Sequence, residues 1–330
     1  MFSSNSQTQN PSPFTPHLSP FTLHPSPFIH SIFIIFTAQK NNASRKKQNS
    51  MKKTKFILAL ILLNIVLISC SSDDSSDPDP EPSSKLVKTE KISDTEKVDY
   101  TYNTDNLLAT YNGLRTDFSY SSNFIYNSEK QLTEWSQEET GSGGSSTVTT
   151  FTYDAEGRLS GYSFNNSEVF ITYDGSTVTA TGTIAGDANA EAQMELNGAG
   201  LITKFTESNQ YTIFTYDSKG NMATAKSFDN ADNPLLEFTI AYDDKVNPFY
   251  GQFESLYIER FLEFFWEFDG IYHSGYEGYA FPFHKNNITV IQEVGGDALT
   301  YTYTYDADGY PTAVNEDDMG SPFIYSISYH

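Results

Sequence analysis

From Leu86 onward one phrase recurs and limits the fold more than any other feature of the chain. Alternating threonine and aromatic residues lead to a tyrosine, then aspartate or asparagine, two variable residues, often a glycine, and soon an aliphatic side chain. The clearest copies are residues 150–159 (TFTYDAEGRL), 212–222 (TIFTYDSKGNM) and 301–311 (YTYTYDADGYP). Weaker copies start at Tyr102 (YNTDNLL), Tyr126 (YNSEKQL) and Leu196 (LNGAGLI). Each spells a β-hairpin: the Asp or Asn side chain caps a type I turn, and glycine in fourth place accepts a positive φ. Asn106 does the same in the first copy. A bulged loop of this kind sets Tyr153 opposite Leu159 on one face of the sheet, and likewise Tyr102 opposite Leu108, Tyr126 opposite Leu132, Leu196 opposite Ile202 and Tyr216 opposite Met222.

Period-two alternation carries that face back along the strands through Val98 and Tyr100, Thr149 and Phe151, Leu236, Phe238 and Ile240, and Leu299, Tyr301 and Tyr303. The opposite face is mostly Thr, Ser and charge. Asp174 and Gly175 add a two-residue hairpin. Copies recur about every 20 to 27 residues, two strands and two turns each, which predicts an all-β antiparallel meander of about 16 strands. A flat meander of that width would leave two open edges and an uncovered apolar face, so it rolls into a barrel-like sheet, aromatic inside and threonine-rich outside. Scattered Glu, Asp and Lys on the outer positions argue against a lipid-facing band.

The N-terminal quarter reads as address. Residues 51–69 open with Met51, Lys52, Lys53 and Lys55, run through an apolar core from Phe56 to Ile68 and end at Ser69, the pattern of an export signal. The apolar run is shorter than the roughly 20 residues of a membrane-spanning helix. Residues 1–50 contain no Asp or Glu and repeat Ser-Pro-Phe at Ser12, Ser19 and Ser26; they read as over-extended translation or a disordered leader, with synthesis starting at Met51. Residues 70–85 form an acidic tether, SSDDSSDPDPEPSS after Cys70, too polar to pack. The folded part is residues 86–330.

Residues 1–69 hold seven of the 20 Lys and Arg and none of the 42 Asp and Glu, so the chain from Cys70 has a formal charge of −29. Such a field repels nucleic acid. Cys70 is the single cysteine, which leaves no intrachain disulfide and no thiolate metal cage.

The interval 252–284 breaks the strand rhythm. Phe253, Leu256, Tyr257, Phe261, Phe264, Phe265 and Phe268 recur at helical spacing, and Glu259, Glu263 and Glu267 lie four apart on another face. The expectation is one amphipathic helix packed across the barrel end as a plug, followed by an aromatic, glycine-containing stretch. Trp266, Tyr272, Tyr276 and Tyr279 are the candidate ligand-binding residues, because exposed aromatic rings stack on sugars or on a partner's apolar patch. His273, His284 and His330 form no close metal-binding pair, and Asp306, Asp308 and Gly309 lack the downstream ligands of a calcium loop. No nucleophile elbow, phosphate loop or dinucleotide fingerprint is present, so no catalytic residue, metal or cofactor is expected.

Leu67, Ile68, Ser69 and Cys70 resemble the bacterial lipobox, which implies acylation of Cys70 and anchoring to a membrane through its acyl chains. Ser71, Ser72, Asp73 and Asp74 resemble the acidic signal that sends Bacteroidetes lipoproteins to the cell surface. The Tyr-Asp units resemble the YD repeats of toxin-encapsulating shells, which run far longer. Taken over residues 86–330, with 242–251 (YDDKVNPFYG) and 285–289 (KNNIT) as its most specific segments, the chain resembles a Bacteroidetes family of lipoproteins of unknown function with a porin-like fold. The resemblance implies an outer-membrane, surface-exposed location and no activity. The sequence thus points to a non-enzymatic module that binds a glycan or protein. The alternatives are an acidic-residue glycoside hydrolase, which needs two carboxyl groups facing each other about 5 to 9.5 Å apart in one cleft, and a purely structural envelope component.

Overall fold

The computed structural model describes residues 85–330 apart from 142–143 and 267–274. The signal, Cys70, the tether and Tyr272 therefore lie outside the described residues. Eighteen strands follow one another: β1 (Val87–Ser93), β2 (Glu96–Tyr102), β3 (Leu108–Leu114), β4 (Ser119–Tyr126), β5 (Leu132–Thr140), β6 (Ser146–Tyr153), β7 (Leu159–Phe164), β8 (Ser167–Asp174) and β9 (Thr177–Ile184) make the first half. The second half is β10 (Asp187–Leu196), β11 (Ile202–Thr206), β12 (Gln210–Tyr216), β13 (Met222–Asp229), β14 (Pro234–Val246), β15 (Asn286–Glu293), β16 (Ala298–Tyr305), β17 (Pro311–Asp318) and β18 (Ser321–Tyr329). Every strand pairs antiparallel with its sequence neighbour, and β18 pairs with β1, so the sheet closes and has no free edge. The expected number was about 16.

The expected register holds. Tyr102 pairs with Leu108, Tyr126 with Leu132, Tyr153 with Leu159, Leu196 with Ile202 and Tyr216 with Met222. The turn chemistry is the same in each copy. Asp154 Oδ1 accepts the backbone N–H groups of Glu156 (3.1 Å) and Arg158 (2.8 Å), while Gly157 N–H donates to the Asp154 carbonyl (3.1 Å). Asn103, Asn127, Asn197, Asp217 and Asp306 repeat the pattern. The fourth place takes φ of 80° at Gly157 and 84° at Gly309, but 65° at Lys130. A side chain there is strained by about 1 kcal/mol, and the exposed 3.1 Å pair of Lys130 with Asp105 returns little of it. Lys130→Gly is expected to stabilise the barrel by about 0.5–1 kcal/mol, read as a raised denaturant midpoint.

Pure period two fails at one place in each repeat. A bulge follows the Tyr-Asp turn, so the next inward residue lies three positions on: Leu108 then Tyr111, Leu132 then Trp135, Ile202 then Phe205. The bulge leaves the first carbonyl of the strand open to the lumen side, and the tyrosine of the following repeat takes it. Tyr126 donates to the Leu108 carbonyl (2.9 Å), Tyr153 to Leu132 (2.6 Å), Tyr173 to Leu159 (3.0 Å), Tyr216 to Ile202 (2.6 Å), Tyr242 to Met222 (2.8 Å) and Tyr329 to Pro311 (2.8 Å). The repeated tyrosine is thus a lateral clasp that stitches a hairpin to the one before it at these six places on the rim; the copy at Leu196 has no hydroxyl to offer, and Tyr305 donates to Asp243 instead.

Because strands alternate in direction, every Tyr-Asp turn lies on one rim, together with both ends of the described chain. The inward face is aromatic and aliphatic: Val98, Tyr100, Phe124, Trp135, Phe151, Phe205, Phe214 and Phe238 are buried. Outward positions carry hydroxyl pairs such as Thr101 with Thr110 (2.7 Å) and Thr215 with Thr224 (2.7 Å), and mid-strand charges such as Lys204 and Glu195 or Lys226 and Glu237.

A barrel of this many strands is too wide for its wall side chains to fill, and in membrane porins of similar strand number the space holds water. Here residues 247–266 and 275–285, between β14 and β15, fill it. They contain one α-helix, α1 (Tyr257–Phe265). The helix does not lie across the barrel end, as the sequence suggested, but descends inside the lumen. At the Tyr-Asp rim the Tyr257 hydroxyl accepts the Ile202 N–H (3.2 Å), and Ser255 Oγ accepts the Leu132 N–H (3.2 Å). At the far rim the Trp266 indole N–H donates to Asp187 Oδ2 (2.9 Å). Residues 275–285 run back to the Tyr-Asp rim. Enclosure explains why α1 is buried nearly all round, Glu259 and Glu263 included, instead of showing the acidic stripe to water.

Candidate functional site

Besides rings, hydroxyls and amides, the plug carries buried carboxyl groups against the wall, and these form two clusters. On α1, Glu259 is fully buried, and both its oxygens take the guanidinium of Arg260, which donates through Nε at 2.5 Å and through the second nitrogen. That guanidinium also lies 5.1 Å from the Trp135 ring centroid and 5.6 Å from that of Phe264. Phe253 stacks on Trp135 (5.7 Å), so the cation is held between aromatic faces. Glu263 accepts a hydrogen bond from Tyr162 of β7 (2.9 Å). Burial, with the Glu259 charge beside it, pushes the Glu263 carboxyl up to about 7, against the pull of Arg260.

The second cluster joins the return leg to β1. Glu90, 1% exposed, accepts from Tyr100 (2.5 Å) and from the backbone N–H of Glu277 (3.0 Å). Glu277 in turn accepts from the Tyr120 hydroxyl, from the Arg115 guanidinium and from Tyr279 (3.4 Å). Burial, only partly offset by the Tyr100 hydrogen bond and reinforced by the Glu277 charge, pushes Glu90 up to about 8. Glu277 is raised by burial too, with Arg115 opposing. His284 is pushed down to about 4 by burial and is neutral at pH 7. A cavity of about 50 Å³, room for one or a few waters, lies beside this cluster and is lined by Glu90, Phe249, His284, Asn286, Tyr303 and Tyr325.

The structure does not bring the expected stacking residues to one surface. Trp266 is half-buried at the far rim, tied to Asp187 with its ring edge-on to Phe205 (6.5 Å). Tyr276 sits on the opposite wall of that rim against Phe323 (5.9 Å) and Tyr325 (5.3 Å), and its hydroxyl accepts from Arg115 (3.1 Å). Tyr279 is 6% exposed, packed on Tyr111 (4.5 Å) and Tyr100 (5.9 Å) inside the barrel. The polar residues that organise the lumen, Glu90, Arg115, Glu277 and Arg260, escaped the sequence reading. For Glu90 a signal existed: it pairs with Val98 across the β1–β2 hairpin, in a register that faces inward.

Chemically, both clusters are closed. Their carboxyl oxygens face the protein's own donors, not a cleft that a sugar chain could enter, so the arrangement that a glycoside hydrolase needs is not displayed by them. Among the described residues no group of three or more His, Cys, Asp or Glu is placed to hold a metal ion.

Neither a family model nor a curated protein matches the sequence. Solved structures do. A porin-like protein from Bacteroides uniformis is similar at 14% identity and a TM-score of 0.32, covering 76% of this chain and 99% of that one. A porin-like protein from Bacteroides vulgatus is similar at 11% identity and a TM-score of 0.32, covering 74% of this chain and 99% of that one. The Tc holotoxin pore of Photorhabdus luminescens is similar at 13% identity and a TM-score of 0.26, over 71% of this chain and 10% of that one. At these identities no activity or ligand carries over.

Proposed function

We propose that this chain is a lipid-anchored, non-enzymatic display module of the outer envelope, which holds a plugged barrel at the cell surface and meets a glycan or protein partner with its outer face and far rim. The observation that supports this best is the filled lumen. A wide barrel whose interior is occupied by its own insert, with the buried carboxyl groups of the described residues engaged internally, favours display over conduction or catalysis. What it offers is a rigid, water-facing surface rich in hydroxyl and carboxylate groups. Acylation of Cys70 rests on the Leu67, Ile68, Ser69 motif, and surface exposure on the acidic residues that follow. Cells fed a clickable palmitate are expected to label the wild-type chain and not Cys70→Ala, and protease added to intact cells to digest the labelled form. Label on the variant, or full protection from protease, overturns the address. For the ligand, a glycan array probed with wild type and Trp266→Ala tests the sugar reading, which is abandoned if neither gives signal.

A further inference from the structure

Around the return leg, two interacting carboxyl groups are both buried. Glu277 faces the Arg115 guanidinium; among the described residues Glu90 is hydrogen-bonded to no cationic side chain. Among the described residues the titratable groups around Glu90 are Glu277, Tyr276 and His284 of the insert, Tyr100 and Tyr102 of β2, Tyr303 of β16, and Tyr325 and Tyr329 of β18, of which only Glu277 carries charge near neutral pH. Tyr111 and Tyr120 complete the shell around Glu277. Glu316 of β17 is a half-buried acid near this leg, close to Gly275, where partial burial and the Asp318 charge raise it to about 7. The backbone N–H that Glu90 holds belongs to Glu277 itself, so the side chain that positions the leg is also the one that must tolerate its charge.

We propose that Glu90 is a proton-operated latch for the return leg of the plug. Protonated, it lets residues 275–285 seat against β1 and β18. Ionised beside Glu277, it weakens that seat, and the leg opens to solvent while the barrel wall stays closed.

The sign follows from linkage. In the seated leg burial raises the Glu90 carboxyl to about 8, whereas in an opened leg it returns towards its ordinary value of 4.5. The seated form therefore binds the extra proton, its advantage is complete below the ordinary value, and it falls as pH rises, levelling off above about 8. His284 and the tyrosines do not change charge in that window, since burial moves them away from it.

Hydrogen exchange of backbone amides in residues 275–284 of the purified protein, corrected for the intrinsic pH dependence of exchange, tests the latch. In wild type, opening is expected to increase at least about tenfold between pH 5.5 and 8.5. Glu90→Gln keeps an acceptor for Tyr100 and the Glu277 N–H without the charge, and is expected to hold the low-pH protection throughout. Glu316→Gln is expected to keep the wild-type rise. A flat wild-type profile, a wild-type rise in Glu90→Gln, or a rise abolished by Glu316→Gln alone each overturns the proposal. If Glu90→Gln does not fold, Tyr100→Phe replaces it. Loss of the hydroxyl donor is expected to move the levelling point to higher pH, and an unmoved profile overturns the latch.

Discussion

Arg260→Ala is expected to lower the unfolding free energy by about 3–5 kcal/mol at neutral pH, measured from denaturant midpoints at unchanged slope. The size follows from what is left behind, not from the strength of the bond that is lost. Glu259 is fully buried, and the Arg260 guanidinium holds both its oxygens. Alanine would leave an enclosed carboxylate beside Glu263, which already needs a proton near neutrality. It would also remove the cation sandwiched by Trp135 and Phe264 and open a void next to Phe253. The partner experiment separates charge from packing. Removing both charges in Glu259→Leu/Arg260→Met, two side chains of similar reach, is expected to recover most of the loss, because an ion pair replaced whole by apolar groups is often close to neutral. A double variant as unstable as Arg260→Ala would mean that packing, not the orphaned charge, dominates. The pair would then serve to fix where α1 stops in its descent through a lumen of similar aromatic walls.

The hairpins were legible because their chemistry is local. An Asp or Asn that caps two amides, and a fourth residue of positive φ, are written within five positions, and they suffice to set Tyr153 opposite Leu159. The bulge after each turn was not legible, since Leu132 and Trp135 look out of phase to any period-two count and only pairing with β4 explains the spacing. Lumen contents were harder still. Whether Glu259 and Glu263 face water or protein depends on how wide the barrel closes and on which way the insert turns, both set by contacts between distant parts of the chain. Helical spacing alone gives the same pattern for a solvated acidic stripe and for one that meets Arg260 and Tyr162 in an enclosed space. The exposure of a ring is hidden in sequence for the same reason: Tyr279 reads like a rim tyrosine, yet it lies inside against Tyr111 and Tyr100.

Gly113→Ala is expected to cost about 2–4 kcal/mol, although alanine ordinarily favours a strand over glycine. Gly113 of β3 lies directly opposite Tyr120 of β4, and the Tyr120 ring lies over it where a side chain would stand. A Cβ at 113 would fall within the van der Waals envelope of that ring. The ring has little freedom to move. It is 5% exposed, edge-on to Tyr111 (5.9 Å), beneath the Arg115 guanidinium (5.3 Å), and its hydroxyl donates to Glu277. Displacing it adds overpacking of about 1–3 kcal/mol to the loss of a hydrogen bond to a charged group, about 1.5–3 kcal/mol, with partial relaxation keeping the total below their sum. A double-mutant cycle isolates the cause. In a Tyr120→Ala background the added methyl has room, so Gly113→Ala is expected there to cost under about 1 kcal/mol, a coupling of at least 1 kcal/mol between the two positions. Equal costs in both backgrounds would place the effect in the β3 backbone and remove the ring from the explanation. A coupling of the expected size would tie a glycine in the wall to the seating of the return leg, through Tyr120 and Glu277, and predicts faster exchange at residues 275–284 in Gly113→Ala than in wild type at the same pH.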